Sequence, residues 1–108
     1  MKDKSLVPAN EIWYTTVDGK PIDSPRATGN ITVSNTYKDG KGVIVFDEPV
    51  VKIGEYAFKD RISLESITIP ESVTQIGEAA FVGCTSLKNV TIPESVTQIG
   101  RYAFKGCT

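Results

Sequence analysis

Residues 68–77 read TIPESVTQIG, and residues 91–100 read TIPESVTQIG again, 23 residues later. An identity of this length at a fixed offset is an internal repeat, and a repeat decides the architecture before local propensity does. The register runs on past the identical block: Ala80 matches Ala103, Phe81 matches Phe104, Gly83 matches Gly106, Cys84 matches Cys107 and Thr85 matches Thr108. A weaker copy lies one period upstream. There Val50, Ile53, Gly54, Glu55, Ala57, Phe58 and Leu64 align with Val73, Ile76, Gly77, Glu78, Ala80, Phe81 and Leu87. Further back, Ile44 and Phe46 align with Ile67 and Ile69.

The unit has a physical reading. Leu64, Ile67 and Ile69 sit at i, i+3 and i+5, as do Leu87, Val90 and Ile92. The last two of each trio flank Thr68 or Thr91, the alternation of a half-buried strand. Pro70 and Pro93 end that strand, because proline cannot donate to a ladder. Val73 with Ile76, and Val96 with Ile99, supply a second apolar wall. Gly77 and Gly100 permit a turn, residues 78–82 and 101–105 read as short helical or 3-10 turns that plug Ala and Phe inward, and Gly83 and Gly106 close the unit. A period of 23 lies within the roughly 20–29 residues of leucine-rich repeats. The expected fold is a leucine-rich-repeat solenoid of about 2.7 coils, mainly β with short helical or 3-10 turns.

Ahead of the repeats stand two hairpin signals. Asp18-Gly19 lies between Ile12–Thr16 and Pro21-Ile22, and Asp39-Gly40 lies between Ile31–Tyr37 and Gly42–Phe46. Asp-Gly between β-rich runs is a two-residue hairpin cue. The expected organisation is a disordered tail over 1–9, a β-hairpin N-terminal cap over 10–42 with a loop at 24–30, and repeats over 43–108.

Composition narrows function. The chain has 108 residues, with 12 Lys plus Arg against 13 Asp plus Glu, so the net charge is -1. No positive field is available for nucleic acid. There is no His, which removes the commonest general base and most catalytic zinc sites. We expect no catalytic residues, no cofactor and no metal site, and hence no enzyme. An apolar run of about 20 residues for a membrane helix, or about 7–15 for a signal peptide, is missing from the sequence. Taken literally, this polypeptide stays in the cytoplasm.

The pattern SLxxVTIPxxVxxIGxxAFxGC, carried by Ser86 to Pro93, Ile99-Gly100, Ala103-Phe104 and Gly106-Cys107, resembles the leucine-rich repeat of BspA type. The resemblance covers about residues 43–108. It implies a non-enzymatic module of secreted or surface proteins of gut and oral bacteria, implicated in adhesion to host matrix proteins and other cells. It therefore implies a protein partner and a cell-surface or secreted location. Two departures stand out: Asp60-Arg61 replaces the Gly-Cys pair, and the sequence stops at Thr108. A last coil left open exposes its core layer. Homo-oligomerisation through the C-terminal end is thus expected, and a structural spacer or self-associating stalk is the alternative function.

Four sets of residues are candidate sites. Outward strand positions form the columns Val43/Ser66/Asn89 and Val45/Thr68/Thr91, flanked by Glu65 and Lys88. Ser66, Thr68, Asn89, Thr91, Glu65 and Lys88 are therefore the expected partner-binding face, against the plainer reading of strand formers facing water. Cys84 and Cys107, one period apart, fit free structural thiols better than a disulfide. Glu48, Glu71 and Glu94 share one position, where solvation is favoured over calcium binding. Trp13 and Tyr14 point to opposite faces of a strand, and core packing is favoured over a sugar platform.

Overall fold

The computed structural model describes residues 7–23 and 30–107. Residues 1–6 of the expected tail, most of the loop at 24–30, and Thr108 lie outside the described residues. Among the described residues eight strands form: β1 (Glu11–Thr16), β2 (Thr32–Lys38), β3 (Lys41–Phe46), β4 (Lys52–Ile53), β5 (Leu64–Thr68), β6 (Gln75–Ile76), β7 (Asn89–Thr91) and β8 (Gln98–Ile99). One sheet has the order β2-β3-β1-β5-β7, and the other β4-β6-β8. Between them lies one core that includes Ile12, Tyr14, Ile44, Phe46, Phe58, Ile67, Ile76 and Phe81.

The repeat period is the register of the parallel ladders. Ser66, Ile67 and Thr68 pair with Asn89, Val90 and Thr91. Ile53 pairs with Ile76, and Ile76 with Ile99. Like residues therefore stack on like. Phe58 and Phe81 are parallel rings with centroids 5.1 Å apart, and Phe81 and Phe104 repeat this at 5.2 Å. The spacing is close to the ~4.8 Å between neighbouring strands, so the aromatic ladder follows the backbone ladder.

The expected helical turns do not form; the described residues contain no helix. In 55–60, 78–83 and 101–106 the chain makes successive tight turns, with Tyr56, Ala79 and Tyr102 at φ values of 59, 56 and 62°. Left-handed residues interrupt a right-handed helix. The freed amides bond between units, Phe58 N donating to Ala80 O and Phe81 N to Ala103 O at 2.7 Å.

The N-terminal cap also differs. Asp39 and Gly40, at φ 53 and 79°, join β2 to β3 with Lys38 opposite Lys41, as the sequence predicts. Asp18-Gly19 closes no hairpin. Instead β1 inserts antiparallel between β3 and β5, with Trp13 opposite both Val43 and Thr68. Residues 20–23 pass along the core side of the sheet. Ile22 is buried there, its amide donates to Tyr14 Oη, and its carbonyl accepts from Asn35 Nδ2 at 2.6 Å. Tyr14 Oη donates to Asn35 Oδ1 at 2.7 Å, so the buried phenol is satisfied. Residues 7–9, expected in the tail, are held: Val7 is buried, Val50 N and Ser72 Oγ donate to Ala9 O, and Glu11 N donates to Pro8 O.

Gly77 and Gly100 serve close approach, since neither has a positive φ. A Cβ at Gly77 would lie 2.8 Å from Glu55 N, and one at Gly100 would lie 2.5 Å from Glu78 N. These neighbours are backbone and cannot rotate away. Gly77→Ala is therefore expected to destabilise the chain by about 1–3 kcal/mol through overpacking, read as a lower urea midpoint. A change within about 0.5 kcal/mol, the range of an inert surface substitution, would contradict the stacking argument.

Candidate functional site

The outer face of the five-stranded sheet is built by strand alternation. In β1, Ile12, Tyr14 and Thr16 are buried while Glu11, Trp13 and Thr15 face outward. In β3, Ile44 and Phe46 point inward while Val43 and Val45 point outward. Pairing aligns the outward residues into rows. One row runs Thr36, Val43, Trp13, Thr68, Thr91, and the next runs Thr15, Ser66, Asn89.

These rows revise the expected columns. Ser66 does stand beside Asn89, and Thr68 beside Thr91. Val43, expected above Ser66, falls instead on the row of Thr68, and Val45 stands opposite Glu11. The cause is β1, which separates β3 from β5. Glu65 and Ser66 both reach the outer side because the register shifts at Thr15/Thr16, leaving Leu64 and Ile67 both buried. The bulge accommodates the i, i+3 apolar spacing where β5 pairs with β1. Thr15 Oγ1 lies 2.6 Å from Ser66 Oγ and 3.3 Å from Glu65 Oε1. Lys88 is exposed, and its amide donates to Glu65 O.

The sequence did not place Trp13, Glu11 and Lys41 with this face. Trp13 is half-buried and outward, whereas Tyr14 is the core residue. Its Nε1 donates to Glu11 Oε1 at 2.9 Å, and Lys41 Nζ sits 3.3 Å from the ring centroid. A cation over an indole is worth roughly 0.5–1 kcal/mol at an exposed site, so the ring is held in place. The available signal was the alternation in Ile12-Trp13-Tyr14. What it could not supply was the neighbour of β1.

The remaining candidates are the glutamate column and the two thiols. Glu48, Glu71 and Glu94 are exposed, and among the described residues no group of three or more His, Cys, Asp or Glu is arranged to hold a metal. Cys84 and Cys107 are free thiols. Cys84 is fully buried and its Sγ donates to Phe58 O; Cys107 Sγ donates to Phe81 O. Burial pushes the Cys84 thiol up to about 11 and raises that of Cys107 as well. Neither is an activated nucleophile at neutral pH.

The model of the BspA type Leucine rich repeat region (6 copies) matches residues 42–108. The chain belongs to this family. It is similar to a T. pallidum leucine-rich repeat protein, with 37% identity and a TM-score of 0.54 over 56% of this chain and 28% of that one. It is also similar to a leucine-rich cell surface protein from Faecalibacterium prausnitzii A2-165, with 28% identity and a TM-score of 0.52 over 93% of this chain and 27% of that one. The chain thus spans little more than a quarter of the length of either. No curated protein matches it. Proteins of this fold are generally non-enzymatic and present extended surfaces to protein partners. Among the described residues no helix is long and apolar enough to cross a membrane.

The thiol environment makes a stability prediction with a definite sign. The folded state favours protonated Cys84, so its contribution is complete below the ordinary value of 9.0 and is lost as pH rises toward about 11. Tyr14, also raised by burial, acts in the same direction. The urea midpoint of the wild type should therefore fall across that range more steeply than that of Cys84→Ala. Parallel pH profiles for the two proteins would show that Cys84 is not the cause.

Proposed function

We propose that the chain is a protein-binding, adhesion-type module of a bacterial surface protein, engaging host matrix or other cell-surface proteins through the outer face of the five-stranded sheet. The observation that carries this reading is the row Thr36, Val43, Trp13, Thr68, Thr91. It sets a fixed aromatic among β-branched residues, with Glu11, Lys41, Glu65 and Lys88 around it. Protein interfaces favour such an arrangement: an apolar aromatic centre, a polar rim and little reorganisation on binding. The mechanism is display of a preformed surface, with specificity set by outward side chains.

Size bounds the affinity. Five strands about 4.8 Å apart, each roughly 17 Å long, make a face of roughly 400 Å². That is about half of the ~800 Å² that a standard interface buries on one partner. A single module is therefore expected to bind weakly and to gain from multivalent display. The second reading, a structural spacer or self-associating stalk segment using the C-terminal coil, draws on the exposure of Ile99 at 53%, against 1% for its equivalent Ile76.

Biolayer interferometry against immobilised fibronectin, fibrinogen and mucin separates the two readings. The adhesion reading expects a saturable signal that drops about tenfold or more in Trp13→Ala and in Asn89→Lys, the scale of a hot-spot loss. Circular dichroism should remain unchanged in both variants. A blank panel from folded protein, or binding indifferent to both substitutions, would leave the spacer reading in its place.

A further inference from the structure

The indole of Trp13 is already engaged by a cation of its own chain. Lys41 Nζ stands 3.3 Å from the ring centroid, well inside the ~6 Å reach of a cation–π contact. The register explains how it gets there. Trp13 pairs with Val43, so Lys41, two residues before Val43 on the same outward side of β3, lies diagonally across the ladder. Among the described residues no carboxylate pairs with this ammonium. The residue is exposed and borders the Asp39-Gly40 turn, so its side chain can leave the ring without disturbing the core.

At the nitrogen edge of the same ring stands Glu11, whose Oε1 accepts from Trp13 Nε1 at 2.9 Å. That bond fixes the carboxylate beside the indole, and among the described residues its second oxygen receives no donor. Two residues along β1 on the other side of Trp13, Thr15 donates to Glu65. Carboxylates therefore flank the ring along the strand. An electron-rich ring face, a fixed carboxylate at its edge and a displaceable ammonium over it together describe a site for positive charge.

We propose that the outer face receives an arginine side chain of its protein partner on the indole of Trp13, with Glu11 as counter-charge, and that Lys41 is a resident cation which this arginine displaces. The inference rests on the adhesion reading of the same face and names the chemistry of the partner. Three properties favour arginine over lysine. Its guanidinium is planar and stacks on an aromatic face. It is more weakly hydrated than an ammonium, so it loses less on leaving water. Its fork of donors reaches a carboxylate while the plane stays on the ring. Lys41 meets only the demand for charge over the ring. The exchange therefore gains a hydrogen-bonded ion pair and returns a lysine to water. A neutral or acidic group gains neither and must still displace Lys41. Tryptophan and arginine are also the residues that hot spots favour, and hot spots pair across interfaces.

Trp13 is the one tryptophan of the chain, so its fluorescence reports on this site alone. The test titrates the full chain with a short peptide alternating arginine and glycine, and with the same peptide carrying citrulline, the uncharged isostere, in place of arginine. The arginine peptide should change the Trp13 emission saturably, and the citrulline peptide should not. Lys41→Ala should tighten binding about two- to fivefold, the worth of an exposed cation–π contact. Lys38→Ala removes an equal charge from the paired position of the same hairpin without uncovering the ring. At ~0.15 M salt, where exposed charges are largely screened, it should leave the affinity nearly unchanged. Glu11→Gln keeps an acceptor for Trp13 Nε1 but loses the charge, and should weaken binding about two- to fivefold. Equal titration by the citrulline peptide would overturn the proposal. So would a gain in Lys38→Ala that matches the gain in Lys41→Ala, or a loss of affinity in Lys41→Ala. The adhesion reading fails separately. A matrix protein whose signal falls in Trp13→Ala, while the arginine peptide leaves the Trp13 emission unchanged, keeps that reading and sinks this one. A blank matrix panel beside a titrating arginine peptide does the converse.

Discussion

Everything in this molecule depends on the backbone hydrogen bonds that pass from one repeat unit to the next. They fix the offset between units at one sequence period, and the side chains then stack like on like. The Phe58, Phe81, Phe104 ladder and the Cys84, Cys107 pair are consequences of that offset. The same spacing sets what a position may hold. Where the walls approach most closely, at Gly77 and Gly100, no side chain fits. Where the turn column diverts its amides to the next unit, residues accept left-handed φ even when they are Tyr56 or Ala79. The strain of a left-handed non-glycine residue, about 1 kcal/mol or more, is offset by an amide that would otherwise be buried without a partner.

A parallel ladder needs a beginning, and in the five-stranded sheet its first strand is not left as a bare edge. Here β1 supplies the seal. It lies antiparallel to both β3 and β5, so the parallel array starts against a strand that arrives from the opposite direction. One insertion has two results. Inward, it delivers Ile12 and Tyr14 to the core and ties residues 20–23 beneath the sheet through Asn35. Outward, it carries Trp13 to the middle of the face. The cap is therefore part of the candidate binding surface as well as its support.

The parts legible in the sequence were those set by short-range or periodic constraints. The offset of the ladders follows from the repeated TIPESVTQIG, and the β2–β3 turn follows from Asp39-Gly40. The same dipeptide at Asp18-Gly19 misled, for a physical reason: Lys20-Pro21 follows it, and proline cannot extend a ladder. The partners of β1 lie about 30 and 50 residues away, and no local pattern ranks an antiparallel insertion above a parallel stack. The turns were misread because apolar residues spaced to plug a core look helical. Nothing in the identity of Tyr56, Ala79 or Tyr102 marks a left-handed backbone.

The two near-identical units also separate what is constrained from what is free. Positions that stack or approach closely are the same in both: Gly77 and Gly100, Ala80 and Ala103, Phe81 and Phe104, Cys84 and Cys107. On the strand, two outward positions differ, Glu65 being replaced by Lys88 and Ser66 by Asn89, while outward Thr68 and Thr91 are the same; inward Leu64 and Ile67 become Leu87 and Val90. A charge reversal between adjacent rungs is tolerable because both side chains reach water, where a rung-to-rung interaction at ~5 Å is worth about 1 kcal/mol or less. The stacking geometry therefore leaves the outer face as the place where chemistry can vary without cost to the fold. A module that recognises partners by display requires that separation.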